Sequence, residues 1–274
     1  MTELICSWTA EEVFCTIRIS EMKENFLIEN KPTVTMMIQA RTPERILELI
    51  KKGNDGGTDR FGLQLEKLEQ KYVNPDTLSM LFEAMGKPCY VTNYRTNPYM
   101  EKTDEQLAEE MLMAIKAGGA LADVMGDIFC RTQYELTKDE TAVQKQKEYI
   151  EKIHALGGEV LMSSHTCKYS EPETVLEYSL CHKERGADIS KIVTAADSEQ
   201  ELLENYRTEI LLRQKIGIPT LFLCVGSFCH DHRRIAPLFG RGMFLCVAEY
   251  DDLATPAQPL LSQAREIISA VYGN

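Results

Sequence analysis

Eight short apolar runs recur along the chain, at residues 34–38, 61–65, 89–92, 122–126, 160–163, 189–193, 220–225 and 243–247. Most are followed by a stretch of helical periodicity. Flanking glycines and prolines favour strands over buried helical turns for runs this short. Strand-then-helix alternation demands a parallel sheet with helices on its faces. Eight such units over about 240 residues suit a closed (β/α)8 TIM barrel. A doubly wound open sheet is the runner-up. The dinucleotide form of that fold wants G-x-G-x-x-G after the first strand, and no such motif follows residues 34–38.

Helix starts support the same alternation. Thr42-Pro43-Glu44 sets a cap, a first-turn proline and an acid before Ile46, Leu47 and Ile50. Thr103 with Gln106, Thr137 with Glu140, Ser170 with Glu173 and Ser198 with Glu201 have capping-box spacing. Gly118-Gly119 and Gly157-Gly158 read as helix stops. The expected organisation is an N-terminal extension over residues 1–32, a hairpin or lid packed on the barrel, and one barrel domain over 33–274.

Charge and cysteine content narrow the setting. Forty-two acids against 30 bases give a net charge of -12. That disfavours nucleic acid and anionic membranes as partners, yet permits a small anion held by a local arginine. Nine cysteines, an odd number without a C-x-x-C, read as reduced thiols of a cytoplasmic protein. No basic-then-apolar leader is evident, and no apolar stretch is long enough to span a bilayer.

In a barrel the chemistry sits at the carboxyl ends of the strands. Lys191 stands inside an apolar strand, where an ammonium is costly unless paired or neutralised. A neutral amine there could form an imine with a ketone. The alternative is a lysine that snorkels to solvent. His165 ends the neighbouring strand, and the two together make an acid/base and amine pair.

These segments resemble type I 3-dehydroquinate dehydratases, (β/α)8 lyases of the shikimate pathway of aromatic amino acid biosynthesis. Gly158 to His165 is similar to that family's strand-five signature ending in S-x-H. Gly186 to Val193 is similar to its G-A-D-x-x-K strand. Val225-Gly226, Arg233 and Leu238-Phe239-Gly240 resemble the stretch around its late arginine, and Thr255-Pro256-Ala257-Gln258 resembles A-P-G-Q. The resemblance implies that Lys191 forms a Schiff base and that His165 is the general acid/base. It implies that Arg233 holds the substrate carboxylate and that Gln258 closes over the ring. No metal or organic cofactor is implied. The partner would be a small anionic keto substrate, with a homodimer allowed.

Departures from the family are concentrated in the substrate shell. Gly62 and Gln64 stand in place of E-x-R on strand two. Arg95 falls one position late for T-x-R on strand three. Gly126 and Ile128 occupy the places of D-x-E on strand four, whose glutamate orients the histidine, and Asp127 is offset by one. His232 replaces a serine, as does Ala254. Arg95, His232 and Gln64 remain candidate substrate contacts. The expectation is a divergent dehydratase with altered specificity. Two alternatives stand beside it: a non-catalytic barrel binding a small anion, and a metal-dependent lyase using Cys229, His230, Asp231 and His232, with Cys167 nearby.

Overall fold

The computed structural model describes residues 25–95, 101–240 and 242–273. Within them eight strands alternate with eight helices. The strands are β1 Thr33–Ile38, β2 Arg60–Gln64, β3 Cys89–Thr92, β4 Leu121–Met125, β5 Glu159–His165, β6 Ile189–Ala195, β7 Thr220–Val225 and β8 Met243–Val247. The helices are α1 Pro43–Asp55, α2 Pro75–Met85, α3 Asp104–Lys116, α4 Glu140–Ala155, α5 Pro172–Glu184, α6 Glu199–Lys215, α7 Cys229–Gly240 and α8 Leu261–Tyr272. Neighbouring strands pair in parallel in the order β7-β6-β5-β4-β3-β2-β1-β8, which is the ring of a (β/α)8 barrel. All eight expected strands form, with ends shifted by at most two residues.

Caps fix most helix starts as expected. Thr42 accepts from Arg45 N, Thr103 and Gln106 close a full capping box, and Ser198 accepts from Glu201 N. Two starts differ. Asp139 caps α4, accepting from Ala142 N, because the Thr137 hydroxyl is used one turn earlier by Asp139 N. Proline at the first position of α5 moves its cap to Glu171, and Ser170 turns back toward Lys168 and Thr166. Gly118 and Gly157 end α3 and α4 with positive φ.

Alternation along the strands divides the core. Outward residues such as Val91, Ala122, Met162 and Phe244 pack with the helices. Inward residues, among them Met37, Tyr90, Leu121, Leu161, Ile189, Leu221 and Leu245, fill the barrel. Phe26 belongs to the inner set and is fully buried. Its N–H donates to Glu159 Oε1 at 2.7 Å, and its carbonyl accepts from Arg60 Nε at 2.9 Å. Arg60 and Glu159 open β2 and β5, so Phe26 closes the amino-terminal end of the barrel. The hairpin or lid expected of residues 1–32 falls mostly on residues 1–24, which lie outside the described residues.

Candidate active site

Period-two alternation places Ser163 and His165 of β5, and Lys191 of β6, inside the barrel. Ser163 lies opposite Lys191 in the strand register, so His165 stands two residues nearer the mouth. The interleaved Ser164 and Ser190 face the helices, where each meets His182 of α5 at 3.0 Å. Lys191 is 5% exposed. Its Nζ donates to Asp123 Oδ2 at 3.0 Å, to Tyr90 Oη at 3.2 Å, and to Tyr94 Oη. All three ammonium protons are thus used.

Asp123 is the hub of this cage. Its Oδ1 accepts from Ser163 Oγ at 2.5 Å, and its Oδ2 accepts from Tyr94 Oη at 2.5 Å and from Tyr90 Oη. Burial pushes its carboxyl up, but the Lys191 charge and these hydroxyl donors outweigh burial and hold it below the usual carboxylate range. Burial, with the Asp123 charge beside them, pushes both phenols well above the ordinary tyrosine value.

His165 makes a second pair. Its Nδ1 lies 2.5 Å from Glu135 Oε2, and its backbone N–H also donates to that oxygen at 3.2 Å. With Nδ1 so engaged, Nε2 is the ring nitrogen left for chemistry. Glu135 comes from the β4–α4 loop, and Gly126 lets that loop approach: a Cβ there would sit 2.5 Å from Glu135 O. Glu135 and Cys167 both have φ of 50°, left-handed backbone that a β-carbon disfavours. Both line a cavity of about 370 Å³ with Tyr94, Arg95, Asp127, Arg131 and His165. The ring of Tyr94 stands edge-on to His165, centroids 5.2 Å apart.

The expected substrate contacts divide. Arg233 is 7% exposed, donates from Nε to Cys224 O at 3.1 Å, and has no carboxylate partner among the described residues. Burial pushes its guanidinium below the ordinary value. Arg95 lines the cavity but is saturated: Asp104 takes Nε and Nη2 at 2.7 and 2.8 Å, and Asp127 takes Nη1 at 2.7 Å. These contacts tie the loops together, so the guanidinium that Arg95 presents to the cavity is already paired. Gln64 ends β2 on the face of Gly62, opposite Thr92. Gln258 is buried, with Oε1 unbonded.

His232 is a correction. It is fully buried between α6 and β7, stacked on Tyr206 at 5.6 Å and edge-on to Phe222 at 5.5 Å. Neither ring nitrogen has a hydrogen-bond partner, and burial pushes the ring down to about 3. One helical position separates it from Arg233, and it faces the helix layer, away from the mouth. No three His, Cys, Asp or Glu side chains converge as metal ligands among the described residues, so the Cys229–His232 stretch forms no ligand set there. Burial, then Glu135, pushes the Cys167 thiol up, the opposite of an activated nucleophile.

Sequence reading missed Asp123, Tyr94, Tyr90 and Glu135. It also missed Glu66, which is fully shielded, accepts from Thr92 Oγ1 at 2.9 Å and is pushed by burial up to about 7. Counting inward from Tyr90 in steps of two reaches Thr92 and Tyr94, so Tyr94 holds the inward place and Arg95 does not. On β2, Gly62 leaves room for the side chain of Met37 from β1, whose Sδ fills the space a side chain there would need.

No protein-family model matches the chain, and no curated protein matches it. Solved structures do. The 3-dehydroquinate dehydratase of Geobacillus kaustophilus HTA426 is 16% identical, with 89% of this chain and 93% of that one aligned at a TM-score of 0.74. The type I enzyme of Clostridium difficile, solved with covalently modified comenic acid, is 16% identical over 91% of this chain and 98% of that one, also at 0.74. The enzyme of Enterococcus faecalis is 16% identical, with 89% and 95% aligned at 0.70. At this identity the likeness establishes the fold: the chain is a (β/α)8 barrel resembling the type I 3-dehydroquinate dehydratases.

Proposed function

We propose that the protein is a carbon–oxygen lyase that expels water from a cyclic, anionic keto acid through a lysine imine, with a specificity unlike that of the dehydratases it resembles. One observation carries the reading. Lys191 is buried against Asp123 beneath Tyr94, and Tyr94 borders a cavity whose wall holds the His165–Glu135 pair. A buried lysine beside a carboxylate and an oriented imidazole is the equipment of imine chemistry.

The Lys191 amine adds to the ketone and water departs, leaving a protonated imine. That imine withdraws electrons and acidifies the adjacent carbon. His165 Nε2 takes the proton there, the electron pair moves toward nitrogen, and the β-hydroxyl leaves with the proton returned from His165. Glu135 holds the imidazolium formed on the way. Hydrolysis frees Lys191. Arg233 offers the charge for the substrate anion. Met37 in place of a polar side chain at Gly62, and the tied Arg95, remove donors that a polyhydroxylated ring would need, which argues for a less hydroxylated substrate. The reading takes the protein to act in the cytoplasm, without nucleic-acid or membrane partners. Among the described residues no helix is long and apolar enough to cross a membrane.

Borohydride reduction in the presence of 3-dehydroquinate and a panel of other keto acids tests it. The expected result is a substrate-sized mass on the peptide holding Lys191, lost in Lys191→Met. If no ketone adds mass there, the lyase reading falls. The saturated ammonium favours a second reading, an anion-binding barrel without catalysis. Calorimetric binding of a keto acid without trapping would support it.

A further inference from the structure

Resting on the lysine-imine reading, we infer that Tyr94 is a catalytic residue. Its phenol passes the proton from Lys191 to Asp123, then back from Asp123 to the carbinolamine hydroxyl. Among the described residues, Tyr94 is the one side chain that belongs both to the cavity wall and to the hydrogen-bonded cage around Lys191. Once the ammonium has given its proton to Tyr94, a ketone arriving from the cavity takes the place of Tyr94 Oη at the nitrogen. The phenol then lies beside the ketone's carbon–oxygen bond, still bonded to Asp123.

The proton inventory closes. Tyr94 gives its phenolic proton to the Asp123 carboxylate as it accepts one from the Lys191 ammonium, leaving a neutral amine and a carboxylic acid. The nitrogen lone pair forms the C–N bond, the carbonyl π pair moves to oxygen, and a proton shifts from nitrogen to that oxygen. Tyr94 then donates to the hydroxyl while Asp123 reprotonates Tyr94. The C–O bond breaks, water leaves with the bonding pair, and the nitrogen lone pair forms the C=N bond. The sum is an ammonium and a ketone giving a protonated imine and water, with Asp123 again a carboxylate. A relay of this kind never requires a free phenolate, so burial of the phenol does not oppose it.

Tyr90 provides the control. It touches the same Lys191 and Asp123 atoms, but it is fully buried and packs against Phe26, 6.4 Å between ring centroids. It cannot meet a substrate oxygen.

The test is the initial rate of borohydride trapping with 3-dehydroquinate, and with pyruvate as a minimal keto acid. Tyr94→Phe should lower that rate on the order of a hundredfold, while the final yield of adduct stays at the wild-type level. Tyr90→Phe should lower it less than about fivefold, since its phenol only shapes the cage. Equal rates for wild type and Tyr94→Phe, or equal losses in the two variants, overturn the inference while leaving the imine reading intact. A wild type that traps neither of these nor any other keto acid of the panel removes the reading and the inference together. If Tyr94→Phe does not fold, 3-fluorotyrosine at position 94 keeps the shape and makes the phenol more acidic. The trapping rate at fixed pH should then change, and it should not change with the same substitution at position 90. An unchanged rate at position 94 overturns the relay.

Discussion

Lys191 Nζ and Asp123 Oδ2 face each other at 3.0 Å inside the barrel, the lysine side chain 7% exposed and the aspartate side chain fully shielded. The pair is ringed by Ser163, Tyr90 and Tyr94, so each polar atom of the carboxylate is bonded. A buried ion pair of this kind costs desolvation energy, and its cage offsets that cost with charge-assisted hydrogen bonds.

Removing one partner exposes that balance. Lys191→Met leaves a buried carboxylate without its counter-ion and should cost about 3–5 kcal/mol of stability. The double variant Lys191→Met with Asp123→Asn should regain most of the loss. Denaturant unfolding of the four proteins of the cycle measures both. A single variant as stable as wild type would show that Asp123 does not depend on the pair.

Glu135 should matter through His165. Glu135→Gln keeps the size but replaces the carboxylate that holds His165 Nδ1 at 2.5 Å. The turnover rate should fall roughly tenfold to a hundredfold, with KM nearly unchanged. Steady-state kinetics on a trapped substrate separates the two constants. A change confined to KM would make Glu135 a binding group instead.

Two arginines at this end of the barrel should behave differently. Arg233 lacks a carboxylate among the described residues, so Arg233→Met should raise KM for an anionic keto acid about tenfold to a hundredfold. Arg95 holds Asp104 and Asp127, so Arg95→Met should lower stability, leaving two acids unpaired, with Asp127 buried. Thermal unfolding and KM measured side by side distinguish them, and a reversed pattern would exchange their roles.

His232→Phe should stabilise the fold. It removes two buried nitrogens without partners and keeps the stack on Tyr206, a gain of about 1–3 kcal/mol near neutrality. The pH dependence follows from the depressed folded-state value of about 3. Below the ordinary histidine value the unfolded state takes up a proton that the folded state refuses. Wild type therefore loses stability from this group as pH falls from about 6.5 toward 3, at roughly 1.4 kcal/mol per pH unit. The advantage of the variant should widen across that window and stay flat above it. Urea midpoints from pH 5 to pH 8 check the slope, and catalysis should be unaffected.

The fold was legible because each strand of a closed barrel is apolar on both faces and each helix announces its start. The same logic found Lys191, a charge in an apolar strand. Applied once more, it would have found Asp123, an acid between Ala122 and Val124 in a run just as apolar. Motif spacing hid it, because Gly126 and Ile128 were matched to the family's acidic positions. Tyr94 was hidden in the same way by counting from Arg95 and not from Tyr90. Glu135 had no strand to mark it: it reaches His165 from a loop that turns back over Gly126, a contact set by three-dimensional closure. His232 read as a mouth residue because it adjoins Arg233, but successive helical residues point about 100° apart.

Among the described residues Phe26 stoppers the amino-terminal end of the barrel. On the lyase reading, ketone, released water and product then share the one side on which Tyr94 stands, and the release of product competes with the arrival of the next ketone.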